Sequence, residues 1–121
     1  LADPNPVLFF EHKALYRSVY QEVPSDYFTL PIGKASLLKD GTDLTIIAYG
    51  QSVHWALDYL KGNPNVKADL IDLRSLVPLD EEAIITSVKK TGRALIITED
   101  VEIGSLASDI SSLIHEKCFE F

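Results

Sequence analysis

The stretch "ADLIDLRSLVPLDEEAIITSVKKTG", residues 68–92, decides the fold. Its apolar start is typical of a buried strand, which we expect to span residues 67–73. Asp80 is a good helix N-cap, and the two glutamates after it favour the positive end of the helix dipole. The helix is expected to end at Gly92. The stretch therefore predicts strand, loop and helix, and ligands usually bind at the carboxyl end of such a strand.

The same alternation continues on both sides of this stretch. Besides the elements above, the pattern predicts strands at residues 32–39, 44–49 and 94–97 and helices at residues 51–62 and 105–118. The strand at 94–97 reads as buried. Asp40-Gly41 is a turn signal that predicts an antiparallel hairpin between the first two strands. The order β-β-α-β-α-β-α predicts a three-layer α/β/α sandwich with a mixed, mainly parallel sheet whose first strand is antiparallel.

Residues 1–31 differ from the rest of the chain. They hold four of the six prolines, which break regular structure, around a continuous apolar run at residues 7–10. This run is typical of a strand buried on both faces, and nothing in the next 20 residues can cover it. Because the chain also lacks methionine, we expect a fragment: residues 1–31 as the tail of a preceding domain plus a linker, and residues 32–121 as one domain.

Composition excludes several classes of protein. The chain has 121 residues, of which 46% are hydrophobic and 24% charged, as in a globular domain. A net charge of −7 argues against nucleic-acid binding, which needs clustered basic residues. No apolar run approaches the roughly 18 residues of a membrane helix. The single cysteine, Cys118, excludes an internal disulfide and favours a reducing compartment.

Candidate metal and nucleophile sites receive little support. The three histidines are far apart, and no histidine–cysteine pair has the spacing of metal ligands. His54 and Asp58, four residues apart, are expected to form a surface pair on a helix. Ser52 follows Gly50 but lacks the G-x-S-x-G context of a nucleophile elbow, so we expect an ordinary first-turn serine.

Two positions that follow predicted strands remain candidates for ligand binding. Gly104-Ser105 opens the last helix, where backbone amides bind anions, but the acids before it would repel phosphate. Arg74 follows the strand at 67–73, and its guanidinium has two possible roles. It binds a carboxylate ligand bidentately, or it pairs with Asp72, Glu81 or an acid of a neighbouring subunit.

Four long segments together resemble one family. They are "PNPVLFFEHKALYR" (4–17), "VPSDYFTLPIGKASLLKDGTDLTIIAYG" (23–50), "LIDLRSLVPLDEEAIITSVKKTGRALIITED" (70–100) and "IGSLASDISSLIHEKCF" (103–119). In this order they resemble the beta subunit of the thiamine-diphosphate-dependent, decarboxylating component of 2-oxo acid dehydrogenase complexes. The segments "FFEHKALYR" and "IHEKCF" are most similar to the branched-chain (2-oxoisovalerate) type. The resemblance implies a transketolase C-terminal domain preceded by the last strand of a cofactor-binding domain.

The resemblance also implies cofactors and partners. The full enzyme would use thiamine diphosphate and magnesium, with none bound to this fragment, and would work with an alpha subunit, a second beta subunit (or a fused equivalent) and a lipoyl acyltransferase core. It would lie in the bacterial cytoplasm or, in a eukaryote, the mitochondrial matrix. No catalytic, cofactor-binding or metal residue of the family maps onto this chain. Arg74 and Glu99 are the candidate residues for a subunit interface.

Several departures from the family and two alternatives bear on this reading. Thr98 precedes Glu99 where relatives often carry histidine, and Gly104-Ser105 replaces a Gly-Gly pair. Relatives continue into a further strand, so we expect an unpaired sheet edge here. The alternatives are the same domain from a pyruvate dehydrogenase or other transketolase-like enzyme, and a free-standing flavodoxin-like binding domain.

Overall fold

The computed structural model describes residues 3–120 and divides the chain into two compact units, Leu1–Pro31 and Ile32–Phe121. The described part of the first unit contains one short 3-10 helix, Lys13–Arg17. The strand predicted at residues 7–10 is wrong for this structure: these residues form no ladder, and Phe9 and Phe10 are 83% and 85% exposed. A strand needs a neighbour for its backbone hydrogen bonds, and none of the described residues provides one.

The second unit follows the predicted order of elements. They are β1 (Ser36–Lys39), β2 (Leu44–Ala48), α1 (Gln51–Gly62), β3 (Ala68–Asp72), α2 (Glu81–Thr91), β4 (Ala94–Ile97) and α3 (Leu106–Cys118). Asp80 caps α2 by accepting a hydrogen bond from the backbone N–H of Ala83 at 3.4 Å, as predicted. Gly92 ends α2 in the left-handed region with φ +66°.

Helices cover both faces of the sheet. On one face, Ile47 of β2 and Ile71 of β3 pack in a buried cluster with residues of α2 and α3, among them Ile84 and Ile110. On the other face, Ile46 and Leu70 pack with residues of α1. Neighbouring residues of a strand point to opposite faces, so each strand supplies both cores. The three-layer α/β/α prediction is confirmed.

The hairpin predicted between β1 and β2 is wrong. The sheet order is β1-β3-β2-β4, and β1 pairs antiparallel with β3 in the register Ser36↔Asp72. The link after β1 does not close a two-strand turn, because the backbone N–H groups of Thr42 and Asp43 donate to the carbonyl of Lys67 at 2.8 and 2.7 Å. These bonds carry the chain across the beginning of β3, so that β2 pairs in parallel with β3 on its other side.

β4 is less buried than its sequence predicts. It pairs in parallel with β2 on one side only and forms an edge of the four-stranded sheet in the described residues, which leaves Leu95 46% exposed. The apolar run at 94–97 therefore predicts the strand correctly and its burial wrongly. No helix in residues 3–120 has the length and apolar character that crossing a bilayer requires.

Candidate functional site

The carboxyl ends of the three parallel strands form the candidate site, because this edge is where α/β sheets usually bind ligands. β2, β3 and β4 end at Ala48, Asp72 and Ile97, so the residues after them meet at one edge. The polar side chains gathered there are those of Tyr49, Asp72, Arg74, Thr98, Glu99 and Asp100.

Tyr49 joins two of these strand ends. Its hydroxyl lies 2.8 Å from Oγ1 of Thr98 and donates a hydrogen bond to the carboxylate of Asp100. Burial, the bond to Asp100 and the negative charges of Asp100 and Glu99 raise the pKa of Tyr49 above its usual value. The phenol therefore stays neutral and acts as a donor. Its role in this arrangement is to attach the loop after β4 to β2.

Replacing Tyr49 with phenylalanine is expected to lower the free energy of unfolding by about 1 kcal/mol, the usual worth of a lost hydrogen bond. The freed loop at residues 98–104 should exchange its amide hydrogens faster. Hydrogen exchange and urea denaturation check both effects. Tyr59→Phe is the control, because Tyr59 is 56% exposed on α1. Equal exchange in the two variants would show that the phenol does not hold the loop.

Arg74 has an unusual backbone and a specific set of partners. Its φ is +53°, in the region that favours glycine, and its backbone N–H donates to the carboxylate of Asp72 at 3.2 Å. The guanidinium Nη2 donates to the carbonyl oxygens of Lys34 and Ala35 at 3.2 and 3.1 Å. The described hydrogen bonds of the guanidinium thus go to the chain just before β1. Of the partners considered from sequence, Asp72 is close and is bonded through the backbone.

Asp72 and His54 also lie at this edge. Burial raises the pKa of Asp72, while the hydrogen bond and positive charge of Arg74 and the charge of His54 act in the opposite direction. Ser52 is fully buried, and its hydroxyl donates to the carbonyl of Tyr49 at 2.6 Å, which is the expected structural role in the first turn of α1.

A cleft of about 620 Å³ lies between the loop after β4 and α3. Asp100, Glu102 and His115 line it together with several serines. The two carboxylates oppose an anion there, as the sequence predicts. Gly104 has φ +76°, whereas Ser105 is an N-cap with an ordinary φ of −87°. Serine therefore fits the second position without strain, and its replacement of glycine leaves the turn intact.

The residues at this edge do not fit a magnesium–diphosphate group. Within residues 3–120, no three His, Cys, Asp or Glu side chains are grouped so that they could hold a metal ion. Glu99, Asp100 and Glu102 place negative charge where a diphosphate would need positive charge. Arg74, a cation at the same edge, is bonded to carbonyl groups.

Sequence reasoning missed the joining of Tyr49 and Asp100. The signal was present, since Tyr49 ends one predicted strand, Asp100 lies three residues after another, and the two strands are adjacent in the sheet. The predicted strand order placed β2 beside β1, which hid the neighbourhood of β2 and β4. Glu99 is exposed at the same edge, as a subunit contact would require, but its proposed interface role stays a prediction.

Comparison with known proteins extends this description. Residues 33–121 match the family described as "Transketolase, C-terminal domain". The chain belongs to this family. It is 47% identical over 118 residues to the 2-oxoisovalerate dehydrogenase subunit beta of Bacillus subtilis, covering 96% of this chain and 36% of the relative. It is 42% identical over 123 residues to the pyruvate dehydrogenase E1 component subunit beta of Mycoplasma genitalium, covering 100% and 38%.

A solved structure agrees with the fold of this transketolase C-terminal domain. The "split gene transketolase, inactive beta4 tetramer" superposes with a TM-score of 0.69 at 30% identity, covering 81% of this chain and 33% of that one. The resemblance to beta subunits of 2-oxo acid dehydrogenases is confirmed by the sequence identities to the two relatives above. The chain spans little more than a third of the length of the curated relatives named above.

Proposed function

We propose that this chain is the C-terminal domain of the beta subunit of a branched-chain 2-oxo acid dehydrogenase. The observation that carries the proposal is the 47% identity to a 2-oxoisovalerate dehydrogenase subunit beta along 96% of the chain. This likeness extends beyond residues 33–121, which match the domain family, into the proline-rich first unit. Residues 1–31 are then the tail of a preceding cofactor-binding domain plus its linker, and the domain begins at residue 32.

The role of the domain in this enzyme is structural. At the carboxyl edge, Tyr49 bonds to Thr98 and Asp100, and Arg74 bonds to the backbone, so both side chains are engaged within the domain. Within residues 3–120, no three His, Cys, Asp or Glu side chains are grouped so that they could hold a metal ion. We infer that it pairs subunits, supports the wall of an active site built elsewhere and docks the acyltransferase. When thiamine diphosphate and magnesium are bound in the full enzyme, they supply the oxidative decarboxylation of the 2-oxo acid.

The partners follow from this role. They are an alpha subunit, a second beta subunit or fused equivalents, and a lipoyl acyltransferase core that accepts the acyl group. The solved relative titled as an inactive beta4 tetramer supports self-association of beta chains without activity. Arg74 and Glu99 are proposed subunit contacts, because both are exposed at one edge of the sheet. The enzyme would act in the bacterial cytoplasm or the mitochondrial matrix.

The second candidate keeps the domain and changes the parent enzyme. Two mycoplasma relatives and one from Bacillus subtilis named as pyruvate dehydrogenase subunits are 41–42% identical to the chain. The difference from 47% is small. An assay of the whole enzyme is therefore needed to distinguish a branched-chain 2-oxo acid from pyruvate as its substrate.

The 121-residue chain alone is expected to bind neither thiamine diphosphate nor magnesium with micromolar affinity. The acids at the carboxyl edge repel a diphosphate, and the basic Arg74 is engaged by two carbonyl groups. Isothermal titration calorimetry with both ligands present measures this directly. The assembled alpha–beta enzyme is the positive control. Micromolar binding by the chain alone would overturn the assignment of a supporting role.

A further inference from the structure

The loop between β3 and α2 holds the chain just before β1. Residues 33–35, here called the entry segment, precede the ladder that β1 forms with β3. The N–H of Gly33 donates to Oγ of Ser75 at 2.9 Å, and the N–H of Ala35 donates to Oδ2 of Asp80 at 3.0 Å. Both acceptors belong to the loop at residues 73–80, about 40 positions further along the chain.

The same loop also supplies donors. The guanidinium of Arg74 bonds the carbonyl oxygens of Lys34 and Ala35, so the backbone of the entry segment is held through both its donors and its acceptors. The left-handed backbone of Arg74 is fixed by its N–H bond to Asp72, the last residue of β3. A positive φ is costly for any residue other than glycine. At Arg74 this backbone conformation directs the side chain toward the backbone of Lys34 and Ala35.

Asp80 serves two segments at once. One carboxylate oxygen accepts from Ala35, and the other accepts from Ala83 at 3.4 Å in the first turn of α2 and lies 3.6 Å from the ammonium of Lys34. Burial acts to raise the pKa of Asp80, but these bonds outweigh it and lower the pKa, so the group is charged at neutral pH. An N-cap predicted from sequence is therefore also a tether for the start of the domain.

The packing around Gly33 is equally specific. Its φ is +76°, and an added Cβ would lie 3.0 Å from Cγ of Pro78 in the same loop. The entry segment thus lies against the loop at close contact distance. Because Ser36 of β1 pairs with Asp72 at the carboxyl end of β3, this contact lies at the carboxyl edge of the sheet.

We propose that Arg74, Ser75 and Asp80 form a clasp that fixes the entry segment, and that Arg74 is a positioning residue within its own domain. Strand pairing begins only at Ser36, so without the clasp the backbone of residues 33–35 would be free to fray. The clasp fixes where residues 33–35 lie at the carboxyl edge of the sheet. This inference uses contacts within the second unit alone and does not depend on the proposed enzyme activity.

Limited trypsin digestion of the 121-residue chain tests the clasp. The side chain of Lys34 is exposed, but its carbonyl and the N–H of the next residue are both bonded in the clasp, which opposes cleavage after Lys34. We expect slow cleavage there in the native chain. Ser75→Ala, which loses one hydrogen bond, should raise the rate about fivefold through a local opening equilibrium. Arg74→Ala, which loses two, should raise it by at least as much. Hydrogen exchange at the Gly33 and Ala35 amides should rise in parallel.

Two internal comparisons make the result specific. Cleavage after Arg17, in the first unit, should keep its rate in every variant. Arg93→Ala removes an exposed arginine of the second unit that lies outside the clasp, and cleavage after Lys34 should keep its native rate in this variant. Thermal midpoints are measured alongside, and Ser75→Ala removes only one hydroxyl, so that global unfolding is recognised. Unchanged cleavage after Lys34 in both clasp variants would overturn the proposal, as would native cleavage there as fast as after Arg17.

Discussion

Gly41→Ala is expected to destabilise the domain by about 3 kcal/mol or more, the range of the most damaging single substitutions. Gly41 is buried where the chain crosses the beginning of β3. An added Cβ would lie 2.3 Å from the carbonyl carbon and oxygen of Lys67 and 2.5 Å from the carbonyl carbon of Ala68. These are backbone atoms, so the clash cannot be relieved by rotating a side chain.

Relief of that clash would disrupt the sheet itself. The carbonyl of Lys67 accepts the N–H groups of Thr42 and Asp43, and the N–H of Gly41 donates to buried Asp69 at 2.7 Å. Residues 40–43, here called the crossing, link β1 to β2, and moving them away from β3 would break all of these bonds. The crossing also directs β2 into the centre of the sheet, so we expect lower yield of folded protein as well as lower stability.

Gly62→Ala is the matched control for this substitution. Gly62 is the last residue of α1, and an added Cβ would meet nothing within 4 Å. Alanine in a helix is favoured over glycine by roughly 0.5–1 kcal/mol, so this variant should be as stable as the native chain or slightly more so. Urea denaturation followed by circular dichroism measures both variants. A difference between them below about 0.5 kcal/mol would contradict the close approach at Gly41.

Asp69→Ala is expected to lower the free energy of unfolding by about 3 kcal/mol at neutral pH, because it removes a buried charged acceptor that three donors share. The Asp69 side chain is 1% exposed. It accepts from the N–H of Gly41, from Oγ of Ser87 at 2.5 Å and from Nζ of Lys90 at 2.6 Å. One carboxylate therefore joins the crossing before β2 to the last turns of α2.

The loss of stability in Asp69→Ala is moderated because Lys90 has a second carboxylate partner. Lys90 also pairs with Asp40 at 2.8 Å, and its side chain is 40% exposed, so its charge keeps a partner and partial hydration in the variant. The hydroxyl of Ser87 also keeps Oγ1 of Thr45 as a partner at 2.7 Å. The largest cost is therefore expected from the buried N–H of Gly41. Asp58→Ala is the control, since Asp58 is exposed on α1. A loss no greater than that of Asp58→Ala would contradict the role assigned to Asp69.

The effect of Asp69 should depend on pH with a defined sign. Burial acts to raise its pKa, but the bonds from Lys90, Ser87 and Gly41 outweigh burial and lower it. A carboxyl whose pKa is lower in the folded state stabilises the fold above its unfolded pKa of about 4 and loses that contribution as the pH falls through the folded pKa. The stability difference between the native chain and Asp69→Ala should therefore shrink on acidification below about pH 4. A difference that is constant from pH 7 to pH 3 would contradict this.

Local patterns in the sequence predict the elements but not their neighbours. The apolar runs and the caps at Asp80 and Gly92 are local signals, and the helices follow them closely. The Asp40-Gly41 signal is also local, and it predicts a hairpin because it contains no information about Lys67 and Asp69. Burial follows the order of the sheet instead: the mostly buried strands β2 and β3 lie at its centre, and the more exposed β1 and β4 lie at its edges.

The contacts that define the carboxyl edge were harder to predict. Arg74 reaches Lys34 and Ala35 across about 40 residues and binds their backbone, which has no sequence pattern. Sequence analysis therefore identified Arg74 as a residue with an unassigned partner and looked for that partner among acids. The family resemblance supplied the fold and suggested the proposed parent enzyme, whereas only the structure shows that this loop holds the start of the domain.

The proposed branched-chain activity is tested most directly by a steady-state assay of the assembled enzyme. The full-length beta subunit containing this domain is co-expressed with its alpha subunit, and decarboxylation of 2-oxoisovalerate and of pyruvate is followed with an artificial electron acceptor. We predict that kcat/KM is at least about tenfold higher for 2-oxoisovalerate, the discrimination that one or two methylene-sized groups provide. Equal or higher kcat/KM for pyruvate, or decarboxylation of neither acid, would contradict the account.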